Sequence, residues 1–226
     1  MQRFRGRYFL YARANLKREG GGRFVQVTSA ASPDGPWAPF RLISFRSEYD
    51  WCKASKNNVY SAAVKTNPAD ESTLLGMFPF TGPGTGLNSG ERPRRWYAHI
   101  ALAVSCDGVR FSEPLPVIKV PKDWWGRPND LPVDGYVQRG DTVYLFVHEN
   151  MPFTYDWPHA TGRHSRIKRH AVPLEKLRQW TSEMKAKMPS CTHVALGLPF
   201  SNFSNFSGEW LGDSWYDAYC CCCCED

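Results

Sequence analysis

At 226 residues the chain is long enough to bury a core and too short for much more than one domain. Hydrophobic residues at 42% and aromatics at 14% set it apart from disordered chains, and no apolar run approaches the roughly 20 residues of a membrane-spanning helix. The formal charge of +6 is compatible with an anionic partner, but no nucleic-acid-binding module accompanies the basic runs at 91–95 and 163–170, so nucleic acid is not an expected partner.

The predicted elements are almost all strands. "RYFLYARAN" (7–15) is aromatic-rich, and Arg13 breaks the short apolar stretch before it becomes a secretory signal. "GRFVQVTSA" (22–30) follows, with Phe24, Val25 and Val27 among polar residues. The turn "ASPDGPWAPF" (31–40) leads into "FRLISF" (40–45). Next come "NVYSAAV" (58–64), "TLLGMFPF" (73–80), "WYAHIALAV" (96–104) and "LPVIKV" (115–120). "DGYVQ" (134–138) and "TVYLFVHE" (142–149) form a hairpin, and "SRIKRHAVP" (165–173) is a weaker strand. Only 174–188 reads as a helix, with Leu174, Leu177 and Met184 on its apolar face. The fold class is therefore all-β.

Two internal matches organise these strands. Ser32 aligns with Ser105 at an offset of 73 residues, and both begin a Ser-x-Asp-Gly turn after a strand. "FLYARAN" (9–15) aligns without gaps on "YLFVHEN" (144–150), at an offset of 135. Both fit a four-stranded unit of roughly 65 to 75 residues. The turn joins the third and fourth strands of that unit. Its Asp bonds backbone amides ahead, its Gly accepts a positive φ, and an aromatic follows, so its role is structural.

Four-stranded antiparallel units in tandem point to a β-propeller. "RFVQVTSAASPDGPW" and "YAHIALAVSCDGVRF", set among strands such as "YFLYARAN", resemble the five-bladed propellers of the invertase-like and arabinanase-like glycoside hydrolases over residues 4–173. The resemblance implies a partial propeller with about three blades. The first lacks its innermost strand, the second spans about 58–118 and the third about 131–200. The chain is then a partial domain at 1–200, or a fragment of a longer product, with a poorly ordered tail at 201–226.

The same resemblance places a ligand where inner strands begin and second strands end. Glycoside hydrolysis needs two carboxyl groups flanking the bond, and sugar rings stack on aromatic faces. The candidate catalytic residues are Asp134, then Glu149 as an acid desolvated by His148 and aromatic walls, then Asp50. Candidate ligand-binding residues are Arg13, Asn15, Trp51, Asn58, Trp125, Arg127 and His148. No Asn-Asp-Pro or Arg-Asp-Pro triplet occurs, so roles rest on strand position alone. Two classes stay open: a carbohydrate-active enzyme, and a propeller that binds a glycan or protein without catalysis.

Neither metal nor cofactor is expected. His159, His164 and His170 match no zinc spacing, and "GPGTGLNSG" (82–90) lacks the Lys-Ser/Thr of a phosphate loop. Cys52, Cys106 and Cys191 spell no disulfide framework, which leaves the compartment open, and Cys220 to Cys224 read as a low-complexity run. Deletion of residues 218–226 is expected to leave the melting temperature unchanged; a fall of several degrees would assign the tail to the fold.

Overall fold

The computed structural model describes residues 1–15, 23–46, 58–81, 98–120, 130–149, 165–188 and 191. These form three sheets and one helix. The first sheet is a four-stranded antiparallel meander: β1 (Gln2–Phe4), β2 (Arg7–Asn15), β3 (Arg23–Ala30) and β4 (Arg41–Leu42). The second contains β5 (Ser44–Phe45), β6 (Asn58–Val59), β7 (Ala63–Thr66), β8 (Leu74–Thr81), β9 (Ala98–Ser105), β10 (Arg110–Phe111) and β11 (Leu115–Val120). The third has β12 (Leu131–Arg139), β13 (Thr142–Glu149) and β14 (Arg166–Pro173), and runs directly into α1 (Leu174–Ala186).

The second sheet is itself a four-stranded meander with interrupted edges. β6 and β7 pair one after the other along β8, and β10 and β11 do the same along β9. The "FLYARAN" match relates β2 to β13, each the second strand of its sheet. The Ser-x-Asp-Gly turns both follow a third strand, β3 and β9.

Two local expectations are corrected. The first sheet does have an opening strand, β1, because Arg5 and Gly6 take φ of 48° and 74° and turn the chain back within two residues. Three residues are too few to show a periodicity. The strand expected at 40–45 is split at Ile43, whose side chain is buried and whose N–H goes back to Val25. Beyond that point β5 leaves the first sheet and pairs in parallel with β10 of the second. The third repeat carries no Ser-x-Asp-Gly turn in its sequence, and β14 continues into α1 instead.

The central strands of the second sheet, β8 and β9, are buried on both faces, which explains their apolar runs. Leu74, Phe78, Ala101 and Ala103 face the core shared with the first sheet. Leu75, Met77, Ile100, Leu102 and Val104 face the core shared with the third sheet and α1. In the first core the rings of Phe45, Phe78 and Phe111 meet at centroid distances of 5.0 to 6.1 Å. Gly76, under the Phe78 and Phe111 rings, leaves no room for a Cβ.

Each sheet interface carries a tyrosine, Tyr136 buried and Tyr11 partly buried. The Tyr136 hydroxyl of β12 lies 2.7, 2.8 and 3.2 Å from the carbonyls of Lys65, Thr66 and Leu75, and directs its one proton into this group of acceptors. The Tyr11 hydroxyl of β2 donates to the Gly108 carbonyl at 2.8 Å. Burial pushes both phenol pKa values up.

That second contact lands on the Ser105–Gly108 turn. Ser105 Oγ accepts from the amides of Asp107 and Gly108, and Asp107 Oδ1 accepts from those of Val109 and Arg110. The first copy is simpler: among the described residues Ser32 Oγ accepts from the Asp34 amide alone, at 3.3 Å. Gly108 has φ +80°, and a Cβ there would sit 2.6 Å from Cε1 of Phe9. Gly108→Ala is expected to cost about 2–4 kcal/mol from backbone strain plus overpacking. Gly6→Ala has φ +74° but open space around it, and should cost only about 1 kcal/mol. Urea unfolding of the two variants measures the difference.

Candidate functional site

Asp134 lies within β12, not at its start. The register between β12 and β13 shifts between Pro132 and Tyr136, and in that bulge Asp134 and Gly135 have φ of 41° and 85°. Asp is among the few residues that tolerate this region. The bulge turns the side chain outward, where it is 88% exposed and 2.8 Å from Lys65 Nζ of β7. β7 in turn runs beside both β1 and β12, so the first strands of the three sheets adjoin. Gln2 Nε2 donates to Thr66 Oγ1 at 2.9 Å on the other side of the same strand.

Glu149 ends β13 opposite Arg166. Its side chain is only 13% exposed and makes two ion pairs, at 2.8 Å with Arg166 Nε and 2.9 Å with Lys168 Nζ. The hydrogen bonds from Lys168 and Arg166 outweigh the cost of burial and hold the carboxyl below its ordinary value of 4.5. This differs from the expected general acid, whose pKa must be raised. The reason is strand alternation: His148 and Glu149 point to opposite faces of β13, so His148 does not desolvate Glu149. His148 Nε2 instead hydrogen-bonds Ser165 Oγ. On the Glu149 face, burial pushes the His170 imidazole down, with Lys168 adding to the effect and Glu149 and Asp130 opposing it.

Of the other expected ligand residues, three lie on described strands of the first and second sheets. Arg13 and Asn15 are exposed near the end of β2, and Asn58 opens β6. Tyr60, just beyond β6, collects two guanidinium groups: Arg13 at 5.6 Å and Arg23 at 5.2 Å from the ring centroid. Asp50, Trp51, Trp125 and Arg127 lie outside the described residues. Among the described residues, Asp134 and Glu149 share no ion-pair or hydrogen-bond partner. No group of three or more His, Cys, Asp or Glu suited to a metal occurs among them either.

Two site neighbours escaped the sequence reading. Lys65 follows a short apolar run, and nothing in its spacing announces a partner 69 residues away. Tyr60 sits inside an apolar strand pattern that gives it a core role by default.

No protein-family model matches the chain, and no curated protein matches it in sequence. Among solved structures it is similar to the crystal structure of an N-acetylgalactosamine deacetylase from F. plautii in complex with blood group B trisaccharide. Identity is 12% and the TM-score 0.43, over 78% of this chain and 49% of that one. The chain thus spans about half the length of that structure, and no residue role is carried over from it. No helix among the described residues is long and apolar enough to cross a membrane.

The Glu149 cluster gives a pH signature. A carboxyl with a depressed folded pKa contributes stability that is present above its unfolded value and is lost as pH falls through the folded one. Wild-type urea midpoints are expected to fall below about pH 4.5. Glu149→Gln should flatten that fall and cost about 0.5–1.5 kcal/mol at neutral pH, since both cations it leaves are partly exposed.

Proposed function

We propose that the chain is a carbohydrate-active module of the β-propeller type, related to glycoside hydrolases, that takes a glycan where the first strands of its sheets meet. The observation that carries this reading is the side-by-side placement of β1, β7 and β12, with Asp134 raised from the junction on a bulge. A carboxylate held on a strand and open to solvent suits contact with a sugar hydroxyl or an attacking water.

In this reading Asp134 is the base or nucleophile. The second carboxyl comes from Glu149 or Asp50, and the lowered pKa of Glu149 suits an ionised partner better than a proton donor. Arg13, Asn15, Asn58 and His148 are assigned to orienting the sugar, and Trp51, Trp125 and Arg127, outside the described residues, are assigned the same role from the sequence.

A second reading is non-catalytic glycan binding. It is favoured by the pairing of both described carboxylates with cations: Asp134 with Lys65, and Glu149 with Arg166 and Lys168. A panel of aryl glycosides and plant or algal polysaccharides separates the two. For the hydrolase, Asp134→Asn is expected to lower turnover by about 10²-fold or more. Folding should be retained, because Asn also tolerates a positive φ and the lost ion pair is exposed. Full activity in Asp134→Asn would remove it from the site. Glycan binding without turnover of any substrate would establish the second reading.

A further inference from the structure

A disulfide joins Cys106 to Cys191, 85 residues apart, with Cα atoms 5.2 Å from each other. The two are 1% and 6% exposed. One end is the second residue of the Ser105–Gly108 turn; the other lies just past α1. In the first copy of the turn the equivalent position is Pro33, so the link is particular to the second sheet.

The helix it holds is a marginal one. α1 has 13 residues, and its N-cap, Pro173, offers no side-chain hydrogen bond. Helices of this length are marginal by themselves in water. Its N-terminal half is secured by β14, by the Leu174 amide on the Asp141 carbonyl, and by the buried Leu174 and Leu177. Its C-terminal half places only the partly buried Trp180 and Met184 against the core and adds polar contacts: Thr181 with Asn67 at 3.0 Å, and Lys185 with Asp70 at 2.6 Å and Ser72 at 2.9 Å. Beyond these stand the buried Met188 and the disulfide.

We propose that Cys106–Cys191 is a redox-set clamp: closed, it fixes the C-terminal half of α1 on the second sheet; opened, it releases that half while the sheets persist. Closing the bond removes two protons and two electrons from two thiols. The electrons pass to an external disulfide of the glutathione class, which leaves as two thiols; opening is the reverse exchange, in which two such thiols supply two electrons and two protons and leave as a disulfide. Burial of both sulfurs keeps the closed form from casual reduction, so the chain is suited to an oxidising compartment.

The test uses the full chain refolded with oxidised glutathione. Free thiols are blocked, the protein is digested without reduction, and linked peptides are identified by mass. The expected product joins the Cys106 and Cys191 peptides. Free thiols at both positions, or links from either to Cys52 or to the 220–224 run, would overturn the proposal. Hydrogen exchange is then compared between the oxidised protein and the Cys106→Ser/Cys191→Ser double variant. Amides at 181–188 should exchange at least about tenfold faster in the variant, with 142–149 unchanged. Equal exchange at 181–188 would overturn the clamp. If the double variant does not fold, phosphine-reduced wild type carries the same comparison. Global unfolding of the reduced wild type would also overturn the proposal, since the bond would then hold the whole fold rather than one half of a helix.

Discussion

The packing of this molecule converges on the turn at Ser105–Gly108. Its own hydrogen bonds set its shape, with Ser105 and Asp107 satisfying four amides that a tight turn would otherwise leave bare. From the first sheet, Phe9 packs against Gly108 and Tyr11 donates to its carbonyl. From the far side, Cys191 bonds Cys106. One four-residue turn therefore touches both neighbours of the central sheet, and its geometry sets how closely each approaches.

The central sheet shows the complementary constraint. A sheet covered on both faces leaves little place for polar residues along its strands, and β8 and β9 carry theirs, Thr81, His99 and Ser105, at or next to their ends. Small residues on one face, Gly76, Ala101 and Ala103, make room for the phenylalanine cluster. Bulkier ones on the other, Leu75, Met77, Ile100 and Leu102, fill the space against β13 and α1. Buried polar groups are reserved for the junctions. Asn67, Thr73 and Thr181 satisfy one another where α1 crosses the turn after β7. Asp70 is drawn into the same corner. Burial alone would raise its pKa, but the hydrogen bonds from Lys185 and Ser72 outweigh it and keep the value low.

Much of this architecture was legible as strand order. The aromatic and β-branched runs announced the long strands, and the two internal matches paired second strand with second strand and turn with turn. Short-range chemistry was legible where the chain supplies its own partner, as Asp107 does for the amides of Val109 and Arg110. Long-range partners were not. Nothing near Cys106 specifies Cys191, and nothing near Asp134 specifies Lys65, because such pairs are set by how sheets stack rather than by spacing. The split at Ile43 was hidden for a related reason: one buried side chain decides it, while the surrounding pattern still reads as a continuous strand. Of the proposed site, the sequence put Arg13, Asn15, Asn58 and Glu149 near strand ends, but it missed the bulge that holds Asp134 inside β12, and it showed none of the charge partners. Those partners changed the character of Glu149 from a candidate acid to a held anion.

The bulge in β12 has a mechanical consequence. Lys65 engages it twice: its ammonium meets the Asp134 carboxylate, and its carbonyl accepts from Tyr136 two residues on. With Tyr136 also bonded to Thr66 and Leu75, the strand cannot slide or rotate at this point without breaking several contacts at once. Asp134 is thus presented to solvent from a rigid mount. A ligand meeting it there loses little to ordering of the protein backbone, and its affinity depends on the fit of its own polar groups. Preorganisation of this kind is a property of Tyr136 and Lys65 as much as of the carboxylate they hold in place.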